Sequence, residues 1–108
     1  MLEKILCVDD EQSILDGFKR VLRKQFDLTT HTSGAAGLLA IQEKGPFSVV
    51  ISDMDMPGMN GVDFLAKTRE VAPDTVRIML TGKADLQVAL DAVNEGNIFR
   101  FLTKPISP

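Results

Sequence analysis

The segment FSVVISDMDMPGMNG at residues 47–61 contributes most to the fold prediction. Its first part, Phe47–Ser52, is a short, strongly apolar run of the kind found in strands that are buried on both faces. Asp53 ends this run, and Met54–Gly61 contains one proline, two glycines and an asparagine, which favour a loop. We therefore predict a buried strand that places an aspartate at the start of a loop.

Similar short runs occur on both sides of this segment and alternate with amphipathic stretches. The further predicted strands are Ile5–Val8, Asp27–Thr32, Val76–Leu80 and Ile98–Leu102. The predicted helices cover Glu11–Lys24, a stretch capped by Ser33 and ended by Gly45, a stretch from Val62 to Pro73, and an apolar stripe from Leu86 to Val93. This alternation predicts an α/β fold, a doubly wound five-stranded parallel sheet with strand order 2-1-3-4-5.

Length and composition limit the classes of function. With 108 residues, the chain is expected to form one domain, residues 1–108. A net charge of −3 argues against direct nucleic-acid binding. No apolar run is long enough for a membrane span, and the N-terminus lacks the pattern of a signal peptide, so we predict a cytoplasmic protein. A single cysteine, Cys7, and a single histidine, His31, exclude a disulfide framework and a zinc site of Cys or His ligands.

Polar residues follow the predicted strands at their carboxyl ends. Asp9 and Asp10 follow the first strand, Asp53 the third, Thr81 the fourth and Lys104 the fifth. Ligands of such sheets bind at this edge, between strands 1 and 3. Three carboxylates placed together repel one another, and oxygen ligands without His or Cys favour Mg²⁺ or Mn²⁺. A lysine and a hydroxyl group suit the oxygens of a phosphoryl group.

Each of these residues also has an ordinary structural interpretation. Asp10 is a candidate helix cap, Asp53 a loop-starting aspartate, Thr81 a β-branched strand end and Lys104 a surface lysine. Their joint occurrence at one edge of the sheet favours a functional site.

At these residues the sequence resembles the CheY-like receiver domain of two-component response regulators, which has the flavodoxin-like fold. The matching segments are ILCVDDE (5–11), VVISDMDMPGMNG (49–61), IMLTG (78–82) and FLTKP (101–105). They occur in the order and spacing of that family and span nearly the whole chain. The resemblance implies a bacterial phosphorelay domain that controls an output and turns over no external substrate.

The resemblance also implies roles for individual residues. Asp53 would accept a phosphoryl group from a sensor histidine kinase or a phosphotransfer protein. Asp10 would ligate Mg²⁺ directly and Asp9 mainly through water, and the Asp53 side chain and the backbone carbonyl of Asp55 would complete the protein ligands. Lys104 would pair with the phosphoryl oxygens.

The same resemblance implies a conformational switch. Thr81 would move toward the phosphoryl group, and Phe101 would turn inward to fill the space that Thr81 leaves. The peptide bond between Lys104 and Pro105 would be cis. Phe101 stands where many relatives have Tyr.

Three further residues are expected to modulate the site. Asp55 lies two positions after the phosphoacceptor and Lys83 two positions after Thr81, and these positions tune autodephosphorylation in such domains. Gly82 leaves room for a phosphodonor.

Two alternative functions remain open at this stage. Asp53-Met54-Asp55 resembles the DxD motif of haloacid-dehalogenase-like phosphohydrolases, but the paired acids of that family follow the lysine, whereas Asp9 and Asp10 precede Lys104. A phosphorylation-independent pseudo-receiver, acting as an interaction module, is the other alternative.

The chain is shorter than such a fold requires by about one helix. We expect it to stop before a fifth helix and to lack the output domain. Crossover handedness then places the first helix nearly alone on one face of the sheet. The part of that face over strands 4 and 5 is then bare. Two explanations stay open: the natural chain continues into a fifth helix, or a separate subunit covers the bare face by self-association. The region of the fourth helix and fifth strand is the other candidate surface for a homodimer.

Overall fold

The computed structural model describes residues 2–81 and 100–103. Five strands form one sheet, in which every pair of neighbours is parallel and the order is β2-β1-β3-β4-β5. The strands are β1 (Lys4–Val8), β2 (Asp27–His31), β3 (Val49–Asp53), β4 (Val76–Thr81) and β5 (Arg100–Thr103). The helices in the described residues are α1 (Gln12–Leu22), α2 (Gly34–Lys44) and α3 (Gly61–Val71). The predicted fold class and strand order are confirmed, and the predicted fourth helix lies outside the described residues.

The apolar side chains of the sheet divide between two clusters, because successive residues of a strand point to opposite faces. In β1, Leu6 and Val8 pack with α2 and α3, whereas Ile5 and Cys7 pack on the α1 side with Leu15. Both faces of the central strands are therefore covered, which explains why β1 and β3 are continuous apolar runs.

Several predicted boundaries shift by one or two residues, among them those of α1 and β3. α1 is shorter than the predicted Glu11–Lys24, and β3 begins at Val49 rather than at Phe47. Pairing with β1 begins where Ile5 lies opposite Val49. The Phe47 side chain is nevertheless buried in the core, so its hydrophobicity reflects core packing and not strand pairing.

A buried arginine interrupts the apolar pattern of β4. Arg77 is 2% exposed, and its Nη1 donates a hydrogen bond to the carbonyl oxygen of Leu65 in α3 at 3.2 Å. Burial, together with the charge of Arg69, lowers the pKa of this guanidinium. The sequence predicts a strand over Val76–Leu80 and assigns no role to Arg77. Arg77 instead joins β4 to α3 through a hydrogen bond to the helix backbone.

The α1 side of β4 is covered unevenly. Leu80 is buried in the α1 cluster and Ile78 packs against it, whereas Val76 is 40% exposed. Within the described residues, the exposed apolar surface on this side of β4 is thus concentrated at Val76, the first residue of the strand. Self-association stays a prediction.

Candidate functional site

The register of the sheet brings the carboxyl ends of β1, β2 and β3 to one edge. Val8, the last residue of β1, lies opposite His31 of β2 and Ser52 of β3. The backbone N–H of Asp9 continues this ladder, since it donates to the carbonyl oxygen of His31 at 3.1 Å. The residues that follow β1 and end β3 are therefore neighbours in space.

Three aspartates meet at this edge. Asp9, Asp10 and Asp53 each offer a carboxylate oxygen, and these oxygens all lie within 4.8 Å of one another. Asp9 is 1% exposed and Asp53 6% exposed, whereas Asp10 is exposed to solvent. These three residues, named the acidic edge from here on, form a half-buried cluster of carboxylates whose exposed member is Asp10.

The interpretation of Asp10 as a helix cap is wrong. Glu11 occupies the N-cap position of α1, and its side chain makes no capping hydrogen bond. The aspartate that bonds to the backbone before α1 is Asp9, whose Oδ1 accepts a hydrogen bond from the Glu11 backbone N–H at 2.9 Å. This bond fixes the orientation of the Asp9 carboxylate.

The loop between β3 and α3 is held by backbone hydrogen bonds close to Asp53. The N–H of Met54 donates to the carbonyl oxygen of Leu80 at 3.0 Å, and the Met54 carbonyl accepts from the N–H of Gly61 at 2.9 Å. Gly58, at the tip of the loop, has a φ of 77°, which glycine adopts without steric cost.

The side chains of this loop divide into buried and exposed groups. Met54 and Met56 are buried in the core cluster of α2 and α3, and Met59 packs against that cluster, as expected for methionines that fill a loop. Asp55 is exposed. Asn60 caps α3 by accepting from the N–H of Asp63 at 2.9 Å.

The donor set fits a hard divalent cation. Carboxylate oxygens are the protein ligands that Mg²⁺ takes, at about 2.0–2.1 Å from the ion, with water in the remaining positions. Opposite ligands of such an ion are then about 4.2 Å apart. Carboxylate oxygens that all lie within 4.8 Å of one another are therefore close enough to hold one such ion, either directly or through its water ligands.

The remaining predicted site residues follow the other strands. Thr81 ends β4 and lies opposite Thr103, and Phe101 lies opposite Met79 in the register of β4 and β5. The other candidates, Lys104, Gly82, Lys83 and Pro105, lie outside the described residues, and their roles stay predictions.

Sequence reasoning missed two residues beside Asp53. Ser52 is buried in β3 next to the aspartate, and Gly61 lies where α3 begins, against the backbone of Asp53. The signal for Ser52 was a lone polar residue at the end of an apolar run. Gly61 was assigned to the loop, and its contact could not be predicted without the position of β3.

Comparison with known proteins identifies the family. The sequence profile of the response regulator receiver domain matches residues 5–108. The chain belongs to this family. Receiver domains are signalling domains, and the sheet order and the acidic edge described above are those of this receiver domain. In the described parts of the chain, no helix combines the length and the hydrophobicity needed to cross a membrane.

Similar proteins come from several bacteria. The hydrogenase transcriptional regulatory protein HoxA of Cupriavidus necator is 38% identical over 96% of this receiver domain, which covers 21% of HoxA. The chain thus spans about a fifth of the length of the curated relatives that it matches.

Solved structures support the same assignment. A structure described as adenylate cyclase from Rhodopirellula baltica matches with a TM-score of 0.92 and 48% identity, over 99% of this chain and 79% of that chain. A response regulator receiver domain from Clostridium thermocellum matches with a TM-score of 0.90 and 38% identity, over 98% and 85% of the two chains.

Proposed function

We propose that this receiver domain accepts a phosphoryl group on Asp53, with Mg²⁺ or Mn²⁺ bound by the acidic edge, and that phosphorylation switches the conformation that controls an output. One observation supports this proposal above the others: three carboxylate oxygens within 4.8 Å at the edge between β1 and β3, with Asp53 almost fully buried. Such an arrangement of like charges costs free energy unless a cation is bound to it.

The proposed reaction is a transfer between two protein side chains. A carboxylate oxygen of Asp53 attacks the phosphorus of a phosphohistidine on a sensor kinase or a phosphotransfer protein. An O–P bond forms and the P–N bond breaks, so the imidazole leaves with the electron pair and takes up a proton. The bound divalent cation supplies charge neutralisation on the phosphoryl oxygens.

The chain's own residues would divide the remaining tasks. Asp9 and Asp10 hold the cation, and the backbone carbonyl of Asp55 completes its protein ligands. Lys104 balances phosphoryl charge, and Thr81 and Phe101 change position together as the switch. Asp55 and Lys83 set the rate at which water attacks phosphorus and restores the carboxylate of Asp53, and Gly82 keeps the approach open.

We expect the output domain to belong to a longer protein that contains this chain. HoxA is named as a transcriptional regulatory protein, and the matched segment is 21% of its length. We therefore expect a cytoplasmic protein in which this domain controls a linked output domain.

The experiment is phosphorylation by acetyl phosphate, read by intact-protein mass spectrometry with and without Mg²⁺. Wild type is expected to gain one phosphoryl group only when Mg²⁺ is present, and Asp53→Asn is expected to gain none. Asp74→Asn is a matched control, because Asp74 is an exposed aspartate in the turn before β4.

Two results would overturn the proposal. Equal labelling of wild type and Asp53→Asn would place the phosphoryl group elsewhere, and absent labelling of wild type would favour a phosphorylation-independent module. Repeated turnover of a phosphomonoester would favour the phosphohydrolase that uses Asp53 and Asp55.

A further inference from the structure

Ser52 places a hydroxyl group in an apolar layer of the sheet. Ser52 is 0% exposed, and its partners in the strand register are Val8 of β1 and Met79 of β4, both of which are buried. A hydroxyl in such surroundings costs free energy unless it makes a hydrogen bond. The bond that Ser52 makes is therefore a strong local constraint.

That hydrogen bond is made to the backbone of the neighbouring aspartate. Ser52 Oγ donates to the carbonyl oxygen of Asp53 at 2.9 Å. The same peptide group is held at its other end, where the N–H of Met54 donates to Leu80. The orientation of the Asp53–Met54 peptide plane is thus fixed from both sides.

The constraint continues along the chain toward Asp55. The Met54 carbonyl accepts from the N–H of Gly61, so the second peptide group after Asp53 is held as well. The next carbonyl in the chain is that of Asp55. Two fixed peptide groups therefore separate the Asp53 carboxylate from the Asp55 carbonyl.

We propose that Ser52 is a positioning residue for the divalent cation: its buried hydroxyl orients the Asp53–Met54 peptide and thereby sets the separation between the Asp53 carboxylate and the Asp55 carbonyl. This inference rests on the proposed function, because it concerns the same cation. In this proposal Ser52 acts through the backbone and is not itself a ligand of the cation.

A purely structural role for the hydroxyl is the alternative, and the chain offers a matched control for it. Thr75 is also buried, and its Oγ1 donates to the backbone carbonyl of Phe47 at 2.8 Å. Thr75 immediately precedes β4, at the opposite end of the sheet from Asp53. Loss of either hydroxyl removes a hydrogen bond to a backbone carbonyl, but of the two residues only Ser52 lies beside the acidic edge.

The test compares Ser52→Ala with Thr75→Val. Mg²⁺ affinity is measured by isothermal titration calorimetry, the initial rate of phosphorylation by acetyl phosphate is followed in parallel, and stability is measured by urea unfolding. Ser52→Ala is expected to weaken Mg²⁺ binding about 3- to 10-fold, the effect of losing one hydrogen bond of ordinary strength. Thr75→Val is expected to lose stability and to bind Mg²⁺ as wild type does.

Each outcome bears on a stated claim. If Ser52→Ala binds Mg²⁺ as tightly as wild type, the positioning role is wrong while the proposed function stands. If wild type neither binds Mg²⁺ nor is phosphorylated, the proposed function is wrong, and the positioning role of Ser52 is wrong with it. Should Ser52→Ala not fold, Ser52→Cys replaces it, because a thiol is a weak donor of similar size, and the same weakening is expected.

Discussion

The thiol of Cys7 illustrates how a single residue in β1 depends on its surroundings. It is 1% exposed, and burial, reinforced by the charge of Asp9, raises its pKa from 9.0 to about 12. The folded protein therefore keeps the thiol protonated at pH values at which an unfolded chain releases the proton. A protonated, enclosed thiol is a poor nucleophile, so Cys7 is a core residue and not a reactive site.

This shift predicts a loss of stability at alkaline pH. Above about pH 9 the unfolded state binds fewer protons than the folded state, so the free energy of unfolding falls as pH rises, by up to about 1.4 kcal/mol per pH unit, until the folded thiol titrates. The prediction is checked by urea unfolding of wild type and Cys7→Ala at several pH values between about 8 and about 10. Cys7→Ala lacks this contribution while retaining every other titration. Parallel pH profiles of the two proteins would contradict the prediction.

At the scale of elements, Gly61 determines how closely α3 approaches β3. A Cβ at Gly61 would overlap the carbonyl oxygen of Asp53 and lie 2.9 Å from the Cα of Met54. Both neighbours are backbone atoms that cannot turn aside. Gly17, inside α1, is a matched glycine with space, since a Cβ there would meet its nearest described atom, Nη2 of Arg20, at 3.8 Å.

Replacing each of these two glycines by alanine is expected to change the free energy of unfolding in opposite directions. Gly61→Ala should lower the free energy of unfolding by about 1–3 kcal/mol, because overpacking against backbone forces β3 and α3 apart. Gly17→Ala should raise it by about 0.5–1 kcal/mol, since alanine is the better helix residue. Urea unfolding measures both. A Gly61→Ala protein as stable as wild type would show that the approach of α3 is adjustable.

Elements were predicted well where a local pattern determines them. The apolar runs of β1 and β3 and the Ser33 cap of α2, which accepts from the N–H of Ala36, follow from short stretches of sequence. The burial of Arg77 does not follow from a local pattern, because it depends on the backbone carbonyl of Leu65 in α3, which is distant in the chain. Likewise, the strand ends predict where Asp9 and Asp53 lie, but the hydrogen bond from Ser52 to the carbonyl of Asp53 depends on the local backbone geometry at the end of β3, which the sequence pattern does not specify.

At the scale of the whole molecule, charge is arranged unevenly although the total is small. The net charge is −3, and three acids share one edge of the sheet. Lys19 and Arg20 lie in the last turn of α1, away from the end of the helix that follows Asp9 and Asp10. Neither of these two basic residues is placed at the acidic edge, and a divalent cation bound there should stabilise the entire fold.

This coupling predicts opposite effects of Asp53→Asn with and without metal. Without metal, the substitution removes one of three clustered charges and should raise the free energy of unfolding by roughly 1–4 kcal/mol, the range of repulsion for charges about 4 Å apart between water and a protein surface. With Mg²⁺ at about 100 times its Kd, wild type should gain about 2.7 kcal/mol, and Asp53→Asn much less. Thermal or urea unfolding with Mg²⁺, and with NaCl at equal ionic strength, separates site binding from general screening.

The control for this coupling is Asp74→Asn, which removes an exposed acid outside the acidic edge. It changes the net charge as Asp53→Asn does, so a response to overall charge would appear equally in both variants. A response to the site would appear in Asp53→Asn alone, because only there do the carboxylates repel at close range. If wild type and Asp53→Asn gain the same stability from Mg²⁺, the ion does not bind through Asp53, and the acidic edge is not its site.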